Sequence, residues 1–171
     1  VTGGTRGIGA GVAKVLAEQG WRVIAASVSQ SEIDDFEKSN AHEAIECQLL
    51  DVTKGKQVEA FFAQFGQLDG LVNCAGIILR DDEYDLEVFQ KVIDVNLTGT
   101  MRCCMAAHPK LKSTGGSIVN TASMRSYFGG AAVPAYSASK GGVAMLTKSL
   151  AAKWAPDSVR VNAVAPGWIE T

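Results

Sequence analysis

Apolar positions along the chain change period in a regular alternation. Ile8, Val12, Val15 and Leu16 recur at helical spacing, and Gly20 follows as a stop. Residues 21–27 (WRVIAAS) have the short apolar pattern of a buried strand, as do residues 45–50, which end at Asp51. Between them, residues 29–40 are polar, carry Asp34, Asp35, Glu37 and Lys38, and are expected to form a short exposed helix or a loop. After Asp51, Val58, Phe61, Phe62 and Phe65 share one helix face that Gly66 closes, and residues 68–74 read as the next strand, broken at Ala75-Gly76. The run Arg80-Asp81-Asp82-Glu83 is expected to be a solvated loop. Phe89, Val92, Ile93, Val95 and Leu97 then lead one long helix to about Leu111, ended by Gly115-Gly116. Residues 117–121 predict a strand, 135–155 a helix, and 159–164 a strand closed by Pro166-Gly167. Strands alternating with helices predict parallel βαβ units and a three-layer α/β/α sandwich. No internal repeat, linker or low-complexity tract interrupts the pattern.

Composition narrows the classes. The 171 residues are 47% hydrophobic and 20% charged, which suits one domain over residues 1–171 and not a disordered chain. The longest stretch without a charge, residues 126–139, is short of the roughly 18 apolar residues of a membrane span, so no membrane association is expected. The net charge of -2 is spread along the chain with no basic stripe, which argues against nucleic acid as a partner. Cys47, Cys74, Cys103 and Cys104 show no Cys-x-x-Cys spacing, so neither a disulfide framework nor a metal site is expected. With no basic and apolar leader at the start, a cytoplasmic setting is expected.

The segment Thr2-Gly3-Gly4-Thr5-Arg6-Gly7-Ile8-Gly9 puts glycines at 3, 7 and 9 directly before the first helix. Glycine suits a tight turn and close backbone approach to a pyrophosphate, and the helix N-terminus then offers N–H groups and a positive dipole end. Taken alone, such a loop also fits ordinary turn chemistry. The next strand ends in Ser27-Val28-Ser29 with no acid to bond a ribose 2'-hydroxyl, whereas Arg6 is placed to meet a 2'-phosphate. NADP(H) is therefore favoured over NAD(H).

Tyr136 and Lys140 stand four apart, one turn along one helix face. A tyrosine is a poor base at neutral pH until positive charge stabilises its phenolate, which a lysine and an oxidised nicotinamide ring supply together. Ser123 follows a strand end, where parallel-sheet proteins build sites, and its hydroxyl suits a substrate oxygen or a plain turn. Asn96 lies inside the predicted long helix, where an amide is favoured only when its side chain or a loosened backbone has a task, such as holding a buried water near Lys140.

Taken together, these motifs resemble the short-chain dehydrogenase/reductase family. Residues 2–9 look like its cofactor loop, Asp51-Val52 like its adenine-contacting pair, and Asn73-Cys74-Ala75-Gly76 like its Asn-Asn-Ala-Gly strand end, with Cys74 as a departure. Asn96, Ser123, Tyr136 and Lys140 match the catalytic tetrad, and Pro166-Gly167 matches the turn beside the nicotinamide. The resemblance implies a Rossmann-type doubly wound parallel sheet and hydride transfer between NADP(H) and a carbonyl or secondary alcohol. It implies Tyr136 as general acid, Lys140 lowering its pKa and bonding the nicotinamide ribose, Ser123 positioning the oxygen, and Asn96 holding a relay water. The implied cofactor contacts are Gly3, Thr5, Arg6, Gly7, Ile8, Gly9, Ser27, Asp51, Val52, Asn73, Ala75, Gly76, Tyr136, Lys140, Pro166, Gly167, Ile169 and Thr171. A homodimer or homotetramer through the helices carrying Asn96 and Tyr136 is implied as well.

Against the family's pattern, most of the first strand, the helical substrate flap and the last strand are missing. The chain is therefore expected to be an excerpt of a longer polypeptide. The rim left to read is Ile77 to Arg80, Met124, Arg125, Ser126, Tyr127, Phe128 and Trp168, and it leaves polyols, sugars, 3-oxoacyl thioesters and steroids open. The alternatives are a non-catalytic nucleotide-binding regulator of the same fold and an inactive fragment. An epimerase or dehydratase of the extended branch would need a different glycine spacing.

Overall fold

The structure is a computed structural model that describes residues 1–40 and 42–169. In chain order it runs α1 (Gly7–Glu18), β1 (Val23–Ser27), α2 (Gln30–Ser39), β2 (Ile45–Leu49), α3 (Gly55–Ala63), β3 (Gly70–Asn73), α4 (Leu86–Ile93), α5 (Gly99–Lys112), β4 (Ser117–Thr121), α6 (Pro134–Trp154) and β5 (Arg160–Val164). All strand pairs are parallel: β1 with β2, and β4 between β3 and β5, with Leu71, Ile118 and Val161 in register across the last three. Thr2 joins the two groups, bridging Ala26 on one side and Asn73 on the other. Its amide donates to Val72 O and its carbonyl accepts from Cys74 N, while Gly4 N donates to Ala26 O. Glycine loop, β1 and β3 are thus fixed to one another by backbone bonds before any side chain acts. Beneath Thr2, an apolar cavity of about 240 Å³ separates β1 from β3, walled by Val23, Phe62, Phe65 and Leu71.

Helices cover both faces of the sheet, as parallel strands require. On one face α3, α5 and α6 bury Val58, Phe62, Cys103, Cys104, Ala107, Leu111, Leu150 and Trp154 against Leu71 and Ile118. On the other, α1 sets Ala13 and Ala17 against Val23 and Ala25. Among the described residues no helix is long and apolar enough to cross a membrane.

Of the alternatives for residues 29–40, an exposed helix or a loop, the structure has the helix, Gln30–Ser39, with the Ser29 side chain accepting from Glu32 N and only Ile33 and Phe36 buried. Two expectations change. The long helix expected from Phe89 to Leu111 is divided by a π turn, Asp94–Thr98, between α4 and α5. The charged run is not a solvated loop throughout: Arg80, Asp81 and Asp82 are exposed, but Glu83 is 0% exposed, because two backbone N–H groups draw its carboxylate inward.

Candidate active site

The glycine loop is held by close contacts. Gly3 has φ +63°, and a side chain there would meet Ala75 N at 2.8 Å; a side chain at Gly9 would collide with the Gly3 carbonyl. Close approach, more than flexibility, explains these two glycines. The turn ends at α1, which has no side-chain cap and no acid in its first turn. Its leading N–H groups and positive dipole end are therefore left to an anionic ligand.

Two cavities meet at this helix end. One, of about 770 Å³, is lined by Gly3, Arg6, Gly7, Ser27, Asp51, Val52, Ala75 and Gly76. The other, of about 450 Å³, is lined by Ile8, Gly9, Ser123, Tyr136, Lys140, Pro166, Gly167 and Ile169. Arg6, Cys74, Gly76 and Ile77 belong to both, so the two form one elongated trough along the carboxyl ends of the strands. Thr5 and Asn73 line neither. The Thr5 hydroxyl is buried without a partner. Asn73 is a packing residue whose Nδ2 donates to Asn120 Oδ1 at 2.9 Å. Thr171 lies outside the described residues.

Arg6, shared by the two cavities, is engaged. Its Nη1 lies 2.8 Å from Glu32 Oε1, and Ser27 Oγ donates to Glu32 Oε2 at 2.9 Å. The Arg6 guanidinium and, secondarily, the serine hydroxyl hold the Glu32 carboxyl below its ordinary range. The strand end has no acid of its own, but the first turn of α2 brings one to the same place.

The reaction end is built by α6 and the ends of β3 and β4. Tyr136 lies in the first turn of α6, and Lys140 Nζ sits 5.6 Å from its ring centroid. Nζ donates to Thr121 O at 2.6 Å, the side chain is buried, and that burial pushes the ammonium down to about 8. Ser123 Oγ accepts from Arg125 N, Ser123 N donates to Ser126 Oγ, and Ser126 Oγ donates to Lys140 O, which fixes the serine turn against α6. The Pro166-Gly167 turn is tied to the same place through Met124 N and Pro166 O at 3.0 Å.

Asn96 occupies the π turn and is 0% exposed. Its Oδ1 accepts from Ile77 N, and its Nδ2 donates to Ile77 O and to Ser139 Oγ, at 2.8–3.0 Å. The amide thus pairs with the Ile77 backbone as a neighbouring strand would. Its own carbonyl accepts from Thr100 Oγ1 at 2.7 Å. A side chain on Gly76 would come 3.2 Å from Asn96 Oδ1 and 3.6 Å from Lys140 Nζ, so it would crowd the Asn96 amide where these two meet. Ser123, Tyr136 and Lys140 line one end of the trough with Asn96 buried beside them, and the four come from three separate places in the chain.

Sequence reasoning passed over Glu32, Glu83 and Ser139. Ser139 Oγ links Asn96 to Tyr136 O. For Glu83 a signal existed: α6 opens with Val133-Pro134, offers no capping side chain and has no acid in its first turn, so a cap had to come from elsewhere.

A family model for short chain dehydrogenases matches residues 1–171. The 2-dehydro-3-deoxy-D-gluconate 5-dehydrogenase of Bacillus subtilis is 40% identical, over all of this chain and 70% of its own. The cis-4-hydroxycyclohexanecarboxylate dehydrogenase of Sinomonas cyclohexanicum is 39% identical, over all of this chain and 72% of its own. The crystal structure of a short-chain dehydrogenase from Streptomyces avermitilis superposes with a TM-score of 0.89 at 29% identity, covering 100% of this chain and 66% of that one. The chain spans 66% of the length of one uncharacterised oxidoreductase of Bacillus subtilis and 77% of one from Staphylococcus saprophyticus.

Proposed function

Because the chain belongs to the short-chain dehydrogenase family, we propose that its trough holds a nicotinamide dinucleotide and that the protein interconverts a ketone and a secondary alcohol on a carboxylate-bearing substrate. The observation that carries this reading is the trough itself, with an uncapped helix N-terminus in its middle and Tyr136, Lys140 and Ser123 together at one end. When bound, the nicotinamide supplies or accepts the hydride. The remaining work falls to side chains. Tyr136 gives its phenolic proton to the carbonyl oxygen in reduction and takes it back in oxidation. Lys140, buried and anchored on Thr121 O, places positive charge beside that phenol. The Ser123 hydroxyl, its oxygen already accepting from Arg125 N, has its proton free for the substrate oxygen. Asn96 spends its amide on Ile77 and Ser139, and its carbonyl keeps a second lone pair for a relay water beside the Thr100 bond.

Two finer assignments follow. NADP(H) is the coenzyme, because Arg6 stands at the rim and a 2'-phosphate would take over its guanidinium from Glu32, the acid that α2 brings there. The substrate is anionic, because Arg80, set 5.5 Å from the Trp168 ring, and Arg125 line the reaction cavity, whose described lining includes no Asp or Glu. Two relatives named above act on carboxylates by their names. Assembly as a homodimer or homotetramer through α5 and α6 fits the exposed Met105 and Met145 on those helices. Four free thiols suit the reducing cytoplasm.

The test compares NADPH-dependent reduction of 4-oxocyclohexanecarboxylate with that of cyclohexanone, and titrates NADPH and NADH separately. The reading predicts tighter NADPH binding and a kcat/KM for the keto acid higher by about tenfold or more, as expected when a guanidinium meets a carboxylate. Coenzyme binding with no turnover of either ketone would favour a nucleotide-binding regulator instead.

A further inference from the structure

We infer that Glu83 is a positioning residue for Tyr136, tying the start of α6 to the loop at Leu79 from a buried place beside the reaction cavity; only the kinetic consequence of this rests on the reductase reading above. Helix α6 begins without a cap of its own. The residue before it, Val133, is apolar, Pro134 has no N–H, and the first turn holds no acid. The amide of Tyr136 falls in that first turn and has no intrahelical acceptor. Glu83 Oε2 accepts it at 2.7 Å, from 53 residues earlier in the chain. Glu83 Oε1 accepts Leu79 N at 3.0 Å. Leu79 lies between Ile78 and Arg80, which line the same cavity as the tyrosine. One carboxylate therefore joins two segments that contribute to the cavity lining.

The surrounding chain is shaped to deliver it. Asp81 adopts left-handed backbone, φ +67°, and its amide donates to Ala132 O, while Tyr84 Oη donates to Ala131 O at 2.7 Å. Residues 79–84 are thus joined to residues 131–136 by three links around the buried acid. Among the described residues no cationic side chain pairs with Glu83. An unpaired buried carboxylate is costly, and here it is offset only by two N–H donors and the positive end of α6. A stability role alone would be met as well by a serine or aspartate at the N-cap position. The bond instead falls on the backbone of the proton donor itself. Lys140 one turn on and the glycine loop at α1 have anchors of their own, so coenzyme binding does not depend on Glu83.

The decisive variant is Glu83→Gln. Glutamine has the same shape, but its one oxygen replaces only one of the two acceptors, and its NH2 meets the other N–H donor against donor. The expected result is a kcat for reduction of 4-oxocyclohexanecarboxylate that falls by roughly tenfold to a hundredfold, as a small misplacement of a reacting group costs. The Kd for NADPH stays within about twofold. Adding Val133→Thr, whose hydroxyl can accept from Tyr136 N at the N-cap position, recovers kcat by about threefold or more. A kcat within about twofold of the parent would overturn the inference. So would a loss shared equally by NADPH affinity, or one that Val133→Thr leaves untouched. A second measurement needs no variant. Hydrogen exchange of the unmodified protein should find the Tyr136 amide as protected as those of Ser139 and Lys140, and exchange at the rate of an uncapped first-turn amide would refute the bond. If the unmodified protein turns over no ketone, the reductase reading fails, and the exchange result still decides whether Glu83 holds the helix.

Discussion

Lys140 illustrates the cost a working residue imposes at its own position. Burial pushes its ammonium down to about 8 from 10.5, so the native state binds fewer protons than the unfolded chain between those values. Unfolding free energy therefore rises with pH across that window, and below about pH 8 the fold carries the full penalty of a buried charge. Lys140→Met should stabilise the protein at pH 7, by on the order of 3 kcal/mol before the lost bond to Thr121 O is counted. It should flatten the rise in stability between pH 7 and 10, and it should abolish turnover. Denaturant unfolding of both proteins at the two pH values checks this; a Met variant less stable at pH 7 would contradict the sign. The Tyr136 and Lys140 pair was legible in sequence because a four-residue spacing fixes two side chains on one helix face whatever surrounds them. Glu83 was not. An acid in a run of acids reads as solvated, and only the uncapped helix 53 residues later draws this one in.

Alternation of strand and helix was visible at the level of elements, because apolar period depends on local geometry alone. The π turn at Asp94–Thr98 escaped, since one extra residue in a turn leaves the apolar positions of α4 and α5 in place while rotating Asn96 inward. Helix α2 shows what an element left open between helix and loop conceals. As an exposed helix or a loop, residues 29–40 gave no reason to place Glu32 anywhere. As a helix capped by Ser29 and packed through Ile33 and Phe36, they deliver Glu32 to Ser27 and Arg6. Under the NADP(H) proposal, the 2'-phosphate and Glu32 compete for one guanidinium. Glu32→Gln should tighten NADPH by about two- to fivefold, the worth of an exposed ion pair, and leave NADH nearly unchanged. Calorimetric titration with both coenzymes reads this; equal tightening of the two would show that Glu32 acts on the adenosine generally and not on the phosphate.

At the scale of the whole molecule, function depends on where the sheet ends. Thr2 holds the glycine loop between β1 and β3, and the parallel register of β3, β4 and β5 brings Gly76, Ser123 and Pro166-Gly167 to the same side of the sheet. α6 adds Tyr136 and Lys140 from one face, and the π turn adds Asn96 from beside it. The central claim is that this convergence moves a proton at Tyr136 while the rest of the trough binds the dinucleotide. It is tested most directly by measuring NADPH binding and keto-acid reduction together on Tyr136→Phe, which removes one hydroxyl oxygen. The account predicts an NADPH affinity within about twofold of the parent and a turnover lower by about a hundredfold or more. A Tyr136→Phe protein that reduces the keto acid at near-parental rate would contradict it.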